Sequence, residues 1–305
     1  MDLSNLLFII ASVVLSYLLI VQFINFFSLR KLGHFPAVED YPFVSILVPA
    51  RNEERNIERC VRSLLQQDYP NYEILVLDDE SEDRTWEILS NLARDNKKLH
   101  IFKGNPLPED WIGKCWACHQ LSQSARGEYL LFVDADTEHK PTMLRSIIDA
   151  AQFYQADLVT GFPHEEVGSF SELLTIPLIN WGILSAIPMP LAFALPHPAL
   201  SITVGQIMLF KRESYEQIGG HVAVKNHVCE DMALGRLIKA MGFRWRLVDA
   251  GQVSRCRMYT NLEEVVNGLS KTIFGAINFR TSLILLFSLL LFLLFCFPIL
   301  VLLLS

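Results

Sequence analysis

Asp134 and Asp136 stand one residue apart where an apolar run ends, in Phe132-Val-Asp-Ala-Asp-Thr137. A strand that carries two hard oxygen ligands on its end suits a Mg²⁺ or Mn²⁺ ion bridging the phosphates of a nucleotide, because such an ion takes few protein ligands. Acid pairs also end strands as plain turn residues, so the triplet alone decides nothing. Four further clusters accompany it. They are Val48-Pro-Ala-Arg-Asn-Glu53, Leu77-Asp-Asp-Glu-Ser-Glu-Asp83, Trp111-Ile-Gly-Lys114, and Glu230-Asp231 about ten residues after Gly219-Gly220. Singly, each reads as helix caps, solvated turn acids or surface charge. Five in one order at the ends of predicted elements read as a site that neutralises a leaving phosphate and moves a proton.

The elements that position them form an α/β pattern between Phe43 and Leu247, in which short apolar runs alternate with amphipathic segments, as in a mostly parallel sheet flanked by helices. Strands are predicted at Val44–Val48, Glu73–Leu77, Leu99–Phe102, Tyr129–Val133 and Thr203–Phe210, and helices at Asn56–Gln67, Thr85–Asp95, Lys114–Ser124 and Glu230–Met241. Ligands of such sheets bind beyond the carboxyl ends of the strands, where the charged clusters fall. No Gly-x-Gly-x-x-Gly follows the first strand and no Gly-Lys-Ser/Thr loop occurs, so a nucleotide would be held by carboxylates, a metal and isolated basic residues.

The chain of 305 residues is 51 % hydrophobic, with a mean hydropathy of +0.30. The apolar excess lies at its ends: Leu6–Phe27 and Ser282–Leu304 are each long enough to span a bilayer. Residues 1–30 are therefore expected to be an uncleaved anchor and 281–305 a second span, the latter preceded by an amphipathic juxtamembrane segment at 261–280. Arg30, Lys31, Lys271 and Arg280 flank the spans on the side of the central domain, 42–260, which the positive-inside bias places in the cytoplasm, at the inner membrane. Residues 170–200, apolar and broken by prolines, read equally as helices at the membrane interface or as a buried excursion of the core. A formal charge of −7 excludes the basic face that nucleic acid requires. The six cysteines sit at irregular positions, as expected of cytoplasmic thiols. Cys115-Trp-Ala-Cys-His119 matches the spacing of c-type haem attachment. Haem is attached outside the cytoplasm, so two thiols and an imidazole on a helix is the simpler reading.

With these clusters in place, Phe43–Phe274 resembles the inverting family 2 glycosyltransferases of the GT-A fold. Trp111-x-Gly-Lys-x-x-Ala-Cys-x-Gln120, Gly205-Gln206, Gly219-Gly-His221 and Arg257-Met-Tyr259 make it most similar to membrane-attached members that glycosylate lipids: the carotenoid-acid (diaponeurosporenoate) enzymes and, more distantly, hopanoid-associated and ceramide glucosyltransferases. The resemblance implies a nucleotide-sugar donor, UDP-glucose foremost, a membrane lipid acceptor, and Mg²⁺ or Mn²⁺. It implies a donor site of Asn52, Glu53, Asp78, Asp79, Lys114, Asp134 and Arg257, in which Asp79 meets the base or ribose and Lys114 the diphosphate. Asp136 and Asp134 would hold the metal, and Asp231 would be the general base. Ser254-Arg-Cys-Arg-Met-Tyr259 lacks the Trp that follows the base in many processive members, which favours transfer of a single sugar. The rivals are a polyprenyl-phosphate glycosyltransferase and a non-catalytic membrane scaffold on the same fold. A redox protein built on Cys115 to His119 is a third.

Overall fold

Alternation along the strands decides the layering. In Val44–Ala50 the side chains of Val44, Ile46 and Val48 enter one core and Leu47 the other; in Tyr129–Val133, Leu131 and Val133 take the first core, Leu130 and Phe132 the second. A sheet that is apolar on both faces must be covered on both, and helices cover it.

The computed structural model describes residues 3–276 and 281–299. In chain order these form α1 (Leu3–Ser28), β1 (Val44–Ala50), α2 (Ile57–Leu65), β2 (Tyr72–Asp78), α3 (Thr85–Ala93), β3 (Leu99–Lys103), α4 (Gly113–Ser124), β4 (Tyr129–Val133), β5 (Thr137–His139) and α5 (Met143–Tyr154). There follow β6 (Leu158–Phe162), β7 (His164–Glu165), α6 (Phe170–Ala186), α7 (Met189–Ala194), β8 (Ile207–Lys211), α8 (Arg212–Gln217), α9 (Glu230–Ala240), β9 (Trp245–Asp249), β10 (Ser254–Cys256), α10 (Leu262–Ala276) and α11 (Thr281–Leu291).

Seven strands pair in the order β3-β2-β1-β4-β8-β6-β9, and only β8 runs antiparallel to its neighbours. The expected mostly parallel sheet is thus present. A smaller sheet, β5-β10-β7, stands beside it. On one face α2 docks through Ile57, Cys60, Val61 and Leu64, spaced i, i+3, i+4 and i+7 and all fully buried. Burying each such aliphatic side chain stabilises the fold by about 1.5–3 kcal/mol. The edge of β9 is closed by the chain that leaves α1: the amide of Asp249 donates to the carbonyl of Arg30 (3.0 Å), and the amide of Leu32 donates to that of Asp249 (2.8 Å).

The strand expected at Thr203–Phe210 begins only at Ile207. Residues 203–206 leave the ladder because a side chain claims their backbone: the amide of Val204 donates to Thr160 Oγ1, whose hydroxyl donates back to the carbonyl of Val204, both at 2.9 Å.

Asn5–Ser28, 24 residues, is long and apolar enough to cross a membrane, and among the described residues it is the one helix that is. The second expected span is described as far as Ile299. Its apolar helix Ile284–Ile299 is shorter and contains a π-helical turn at Phe292–Cys296, and residues 300–305 lie outside the described residues, as do 277–280. The proline-broken stretch is partly buried and partly exposed. α6 and α7 bury Ile176, Ser185, Met189 and Ala192 but expose Phe170, Leu173, Leu174, Leu178 and Leu191. Asn25 of α1, 1 % exposed, binds the elbow between them. Its Nδ2 donates to the carbonyls of Leu184 (2.6 Å) and Ile187 (2.8 Å), and its Oδ1 accepts from the amide of Met189 (2.7 Å).

Candidate active site

β1, β2, β4 and β6 all point their carboxyl ends to one edge of the sheet, and antiparallel β8 starts there. The clusters singled out in the sequence meet at that edge. Lys114, in the first turn of α4, reaches over to β4 and α9: its Nζ lies 2.8 Å from Asp134 Oδ1 and 3.0 Å from Glu230 Oε1. Burial works against its charge, but the two carboxylates outweigh that and hold its pKa well above the ordinary lysine value. Lys114 is therefore a fixed cation at the strand ends.

Asp231 follows Glu230 on the first turn of α9. Its Oδ2 accepts from the amide of Gly205 (3.0 Å) and its Oδ1 from that of Met232 (2.7 Å). Burial, then the charge of Glu230, pushes its pKa up to about 6, against the opposing pull of Lys114. A Cβ at residue 205 would stand 3.2 Å from Asp231 Oδ2, tighter than ordinary contact, so glycine lets the backbone come close enough to fix the carboxylate.

Asp136 is half-buried, and its Oδ1 is shielded from solvent with no hydrogen-bond partner. Burial, Asp134 and Glu53 raise its pKa to about 7. A buried oxygen without a donor, crowded by like charges, suits contact with a cation. Among the described residues no three His, Cys, Asp or Glu side chains converge into a closed metal site. Two carboxylates on a strand end are the donor set an octahedral Mg²⁺ or Mn²⁺ accepts when phosphate and water complete its shell, so Asp134 and Asp136 fit such an ion.

Asp79 is buried at the end of β2. Burial raises its pKa and Arg51, 3.9 Å from its Oδ2, draws it back down. Gly113, whose Cβ would lie 3.0 Å from Asp79 Oδ2, keeps the start of α4 against it. Asp78 beside it is buried too, with Oδ1 unpartnered. Glu53, its pKa raised by burial against a bond from Asn56, faces Asp134 and Asp83. Asn52 adopts a left-handed φ of 56° and spends its side chain on the backbone, accepting from the amide of Glu82 (2.8 Å). Its side-chain oxygen thus shapes the loop after β1.

Arg257 is paired outside the Lys114 cluster: its Nε and Nη2 donate to Glu172 Oε2 (3.2 Å) and Oε1 (3.3 Å), tying β10's exit to the start of α6. Burial would raise the Glu172 carboxyl, but Arg257, Ser169 and the Gly168 amide hold it down to about 2. The haem spacing also dissolves into structure. Cys115 and Cys118 are buried, the thiol of Cys115 donates to the carbonyl of Val224, and the His119 ring lies against Trp111 and Trp116. No disulfide joins the described cysteines.

A cavity of about 400 Å³ joins these parts, lined by Lys114, Asp134, Glu230 and Asp231 on one side and by Ile176, Ile179 and Ile183 of α6 on the other. Two of its acids carried no assigned role in the sequence. Glu230 grips Lys114, a role its place next to Asp231 at a helix start could have signalled. Glu165 accepts from Gln206 Nε2 at 2.8 Å, a pairing no local pattern announces.

A mixed sheet whose carboxyl edge carries an acid pair, a lysine and a helix-borne carboxylate is the GT-A arrangement. Residues 45–219, more than half of the chain, match Glycosyl transferase family 2, and the chain belongs to that family. Asp231 lies beyond the matched stretch. The chain is 28 % identical over 203 residues to the 4,4'-diaponeurosporenoate glycosyltransferase of Staphylococcus haemolyticus, covering 63 % of this chain and 50 % of that protein. It is 37 % identical over 113 residues to the beta-monoglucosyldiacylglycerol synthase of Trichormus variabilis, covering 36 % of this chain and 24 % of that one. The chain thus spans half or less of the length of these relatives. Among solved structures it is similar to the mannosyltransferase PcManGT of Pyrobaculum calidifontis, in complex with GDP-Man and Mn²⁺, with a TM-score of 0.66 and 18 % identity over 93 % of this chain and 76 % of that one. That likeness shows the fold.

Proposed function

We propose that this chain is an inverting glycosyltransferase that moves one sugar from a nucleotide-diphospho-sugar, UDP-glucose foremost, to a membrane lipid from the cytoplasmic face. The observation that carries the reading is one cavity with two chemistries: the cation Lys114 held between Asp134 and Glu230, and beside it Asp231 with a raised pKa, facing the apolar side of α6. The names of both relatives, one a glycosyltransferase of a carotenoid acid and the other a synthase of a glucosylated diacylglycerol, support a lipid acceptor.

In this reading the donor lies across the strand ends, with Asp79 at its nucleoside and Lys114 at its diphosphate. Asp134 and Asp136 would hold a divalent ion, which when bound would neutralise charge on the departing diphosphate. Asp231 takes the proton from the acceptor hydroxyl as its oxygen bonds to the anomeric carbon. The bond from that carbon to the phosphate oxygen breaks on the opposite face, and the electron pair leaves with the nucleoside diphosphate. A single base and no covalent intermediate give inversion. The exposed apolar surface of α1, α6 and α7 supports attachment of the domain to the bilayer as an integral protein.

Lys114→Met is expected to weaken binding of UDP by ~10- to 100-fold, since a hydrogen bond to a charged group contributes ~1.5–3 kcal/mol. Calorimetric titration of the purified protein checks this; unchanged affinity removes Lys114 from the diphosphate. The reading as a whole is tested by incubating membranes that contain the protein with labelled UDP-glucose and a lipid extract. Label in an extractable lipid is expected. Label found only in free sugar or soluble acceptors overturns it.

A further inference from the structure

A second cavity, about 720 Å³, opens between α1 and α6 and is lined by Gln22, Phe26, Leu29, Pro177 and Leu184 among others. It shares Phe162, Glu165, Ile176 and Asn180 with the cavity that holds Asp231. The two are therefore neighbours across those four residues, and together they lead from the apolar flank of α1 to the candidate base. Phe23, Phe26 and Phe27 of α1 and Leu173, Leu174 and Leu178 of α6 are exposed beside this passage, a surface suited to acyl chains.

Charge decides what head group can use it. At the junction the one charged side chain is Glu165, held by buried Gln206, and beyond it stand Glu230 and Asp231. Among the described residues lining the inner cavity the lysine or arginine is Lys114, already shared by Asp134 and Glu230. Lys31 lines the outer cavity together with Asp249. An anionic head group would thus pass one carboxylate and approach two more, while the charge of Lys114 is already answered by Asp134 and Glu230. It would also bring no proton for Asp231 to remove. A neutral hydroxyl meets neither obstacle, and Glu165 and the Asn180 amide can accept and donate hydrogen bonds to it.

Resting on the glycosyl-transfer reading above, we propose that the gap between α1 and α6 is the passage for the acceptor lipid, and that Glu165 and Asn180 at its inner end select a neutral, hydroxylated head group over a carboxylate or phosphate one. Glu165 is a specificity residue in this scheme, placed before the reacting atoms.

The test uses the full chain in phosphatidylcholine vesicles with a diacylglycerol that carries a photoreactive group in its acyl chain. Adducts are expected on α1 between residues 22 and 29 and on α6 between residues 176 and 184. Unlabelled diacylglycerol is expected to suppress them at concentrations at least ~10-fold lower than a fatty acid of equal length or a polyprenyl phosphate. Glu165→Gln is expected to bring those ratios toward one, a change in selectivity that a purely structural role would not produce. Adducts confined to other surfaces overturn the passage, and equal competition by the acids overturns the selectivity. Labelled donor in the same vesicles separates the two readings. Adducts without sugar transfer overturn the transferase reading and leave the passage standing, whereas transfer without adducts on α1 or α6 does the reverse.

Discussion

Asp231→Asn is expected to reduce sugar transfer by ~10²- to 10⁴-fold while leaving donor affinity near that of the unaltered protein, because what is lost is proton removal. The carboxylate accepts from two backbone amides, those of Gly205 and Met232. An asparagine can satisfy only one with its oxygen, so a small loss of stability accompanies the loss of rate; circular dichroism and a thermal melt separate the two. With donor binding measured by calorimetry, joint loss of affinity and activity in a folded variant makes Asp231 a donor ligand instead of a base. The unaltered protein carries its own check. Its base has a pKa pushed up to about 6, so kcat/KM should fall as pH drops through 6 and level off above it. A profile flat from pH 5 to 8 contradicts a carboxylate base in this environment.

Asp136→Asn is expected to abolish divalent-metal binding at the strand end, and donor turnover with it, since a bound ion supplies several kcal/mol of charge stabilisation. Manganese titration followed by electron paramagnetic resonance reads binding without reference to activity. A second consequence has the opposite sign. In the native fold Asp136 has a pKa near 7, above its unfolded value near 4, so the native state holds a proton that the unfolded chain releases in between. In chelator this group therefore makes stability decline as pH rises from about 4 to about 7, and the Asn variant should lose that part of the decline and melt at a higher temperature at pH 8. Turnover that persists in chelator with the Asn variant removes the metal from this site.

What the sequence disclosed and what it hid follow from the range of the interactions. β4 and its two aspartates were legible because an unbroken apolar run ending in acids is a local pattern, and Lys114 because it opens an amphipathic helix. The same held for α9. Element ends drifted where tertiary bonds set them: Thr203 to Gln206 look like strand, but the hydroxyl of Thr160 captures Val204. The partner of Arg257 was hidden for a similar reason: Glu172, 85 residues earlier, is folded against it. β5, β7 and β10, two or three residues each, are too short for any period to register. Glu165 gave no local sign because its partner Gln206 comes from the loop before β8.

The clamp of Asn25 on the α6–α7 elbow bears on how a soluble form of this enzyme could be made. Cutting the chain after α1 would strip an apolar helix, yet it would also withdraw three hydrogen bonds from Leu184, Ile187 and Met189. The helix is a structural member of the domain it precedes. Solubility is better sought by recolouring its outer face, Val13, Leu19, Ile20 and Phe23, with polar residues while Val21 and Asn25 stay in place, so that detergent becomes dispensable and the scaffold around the acceptor side remains assembled.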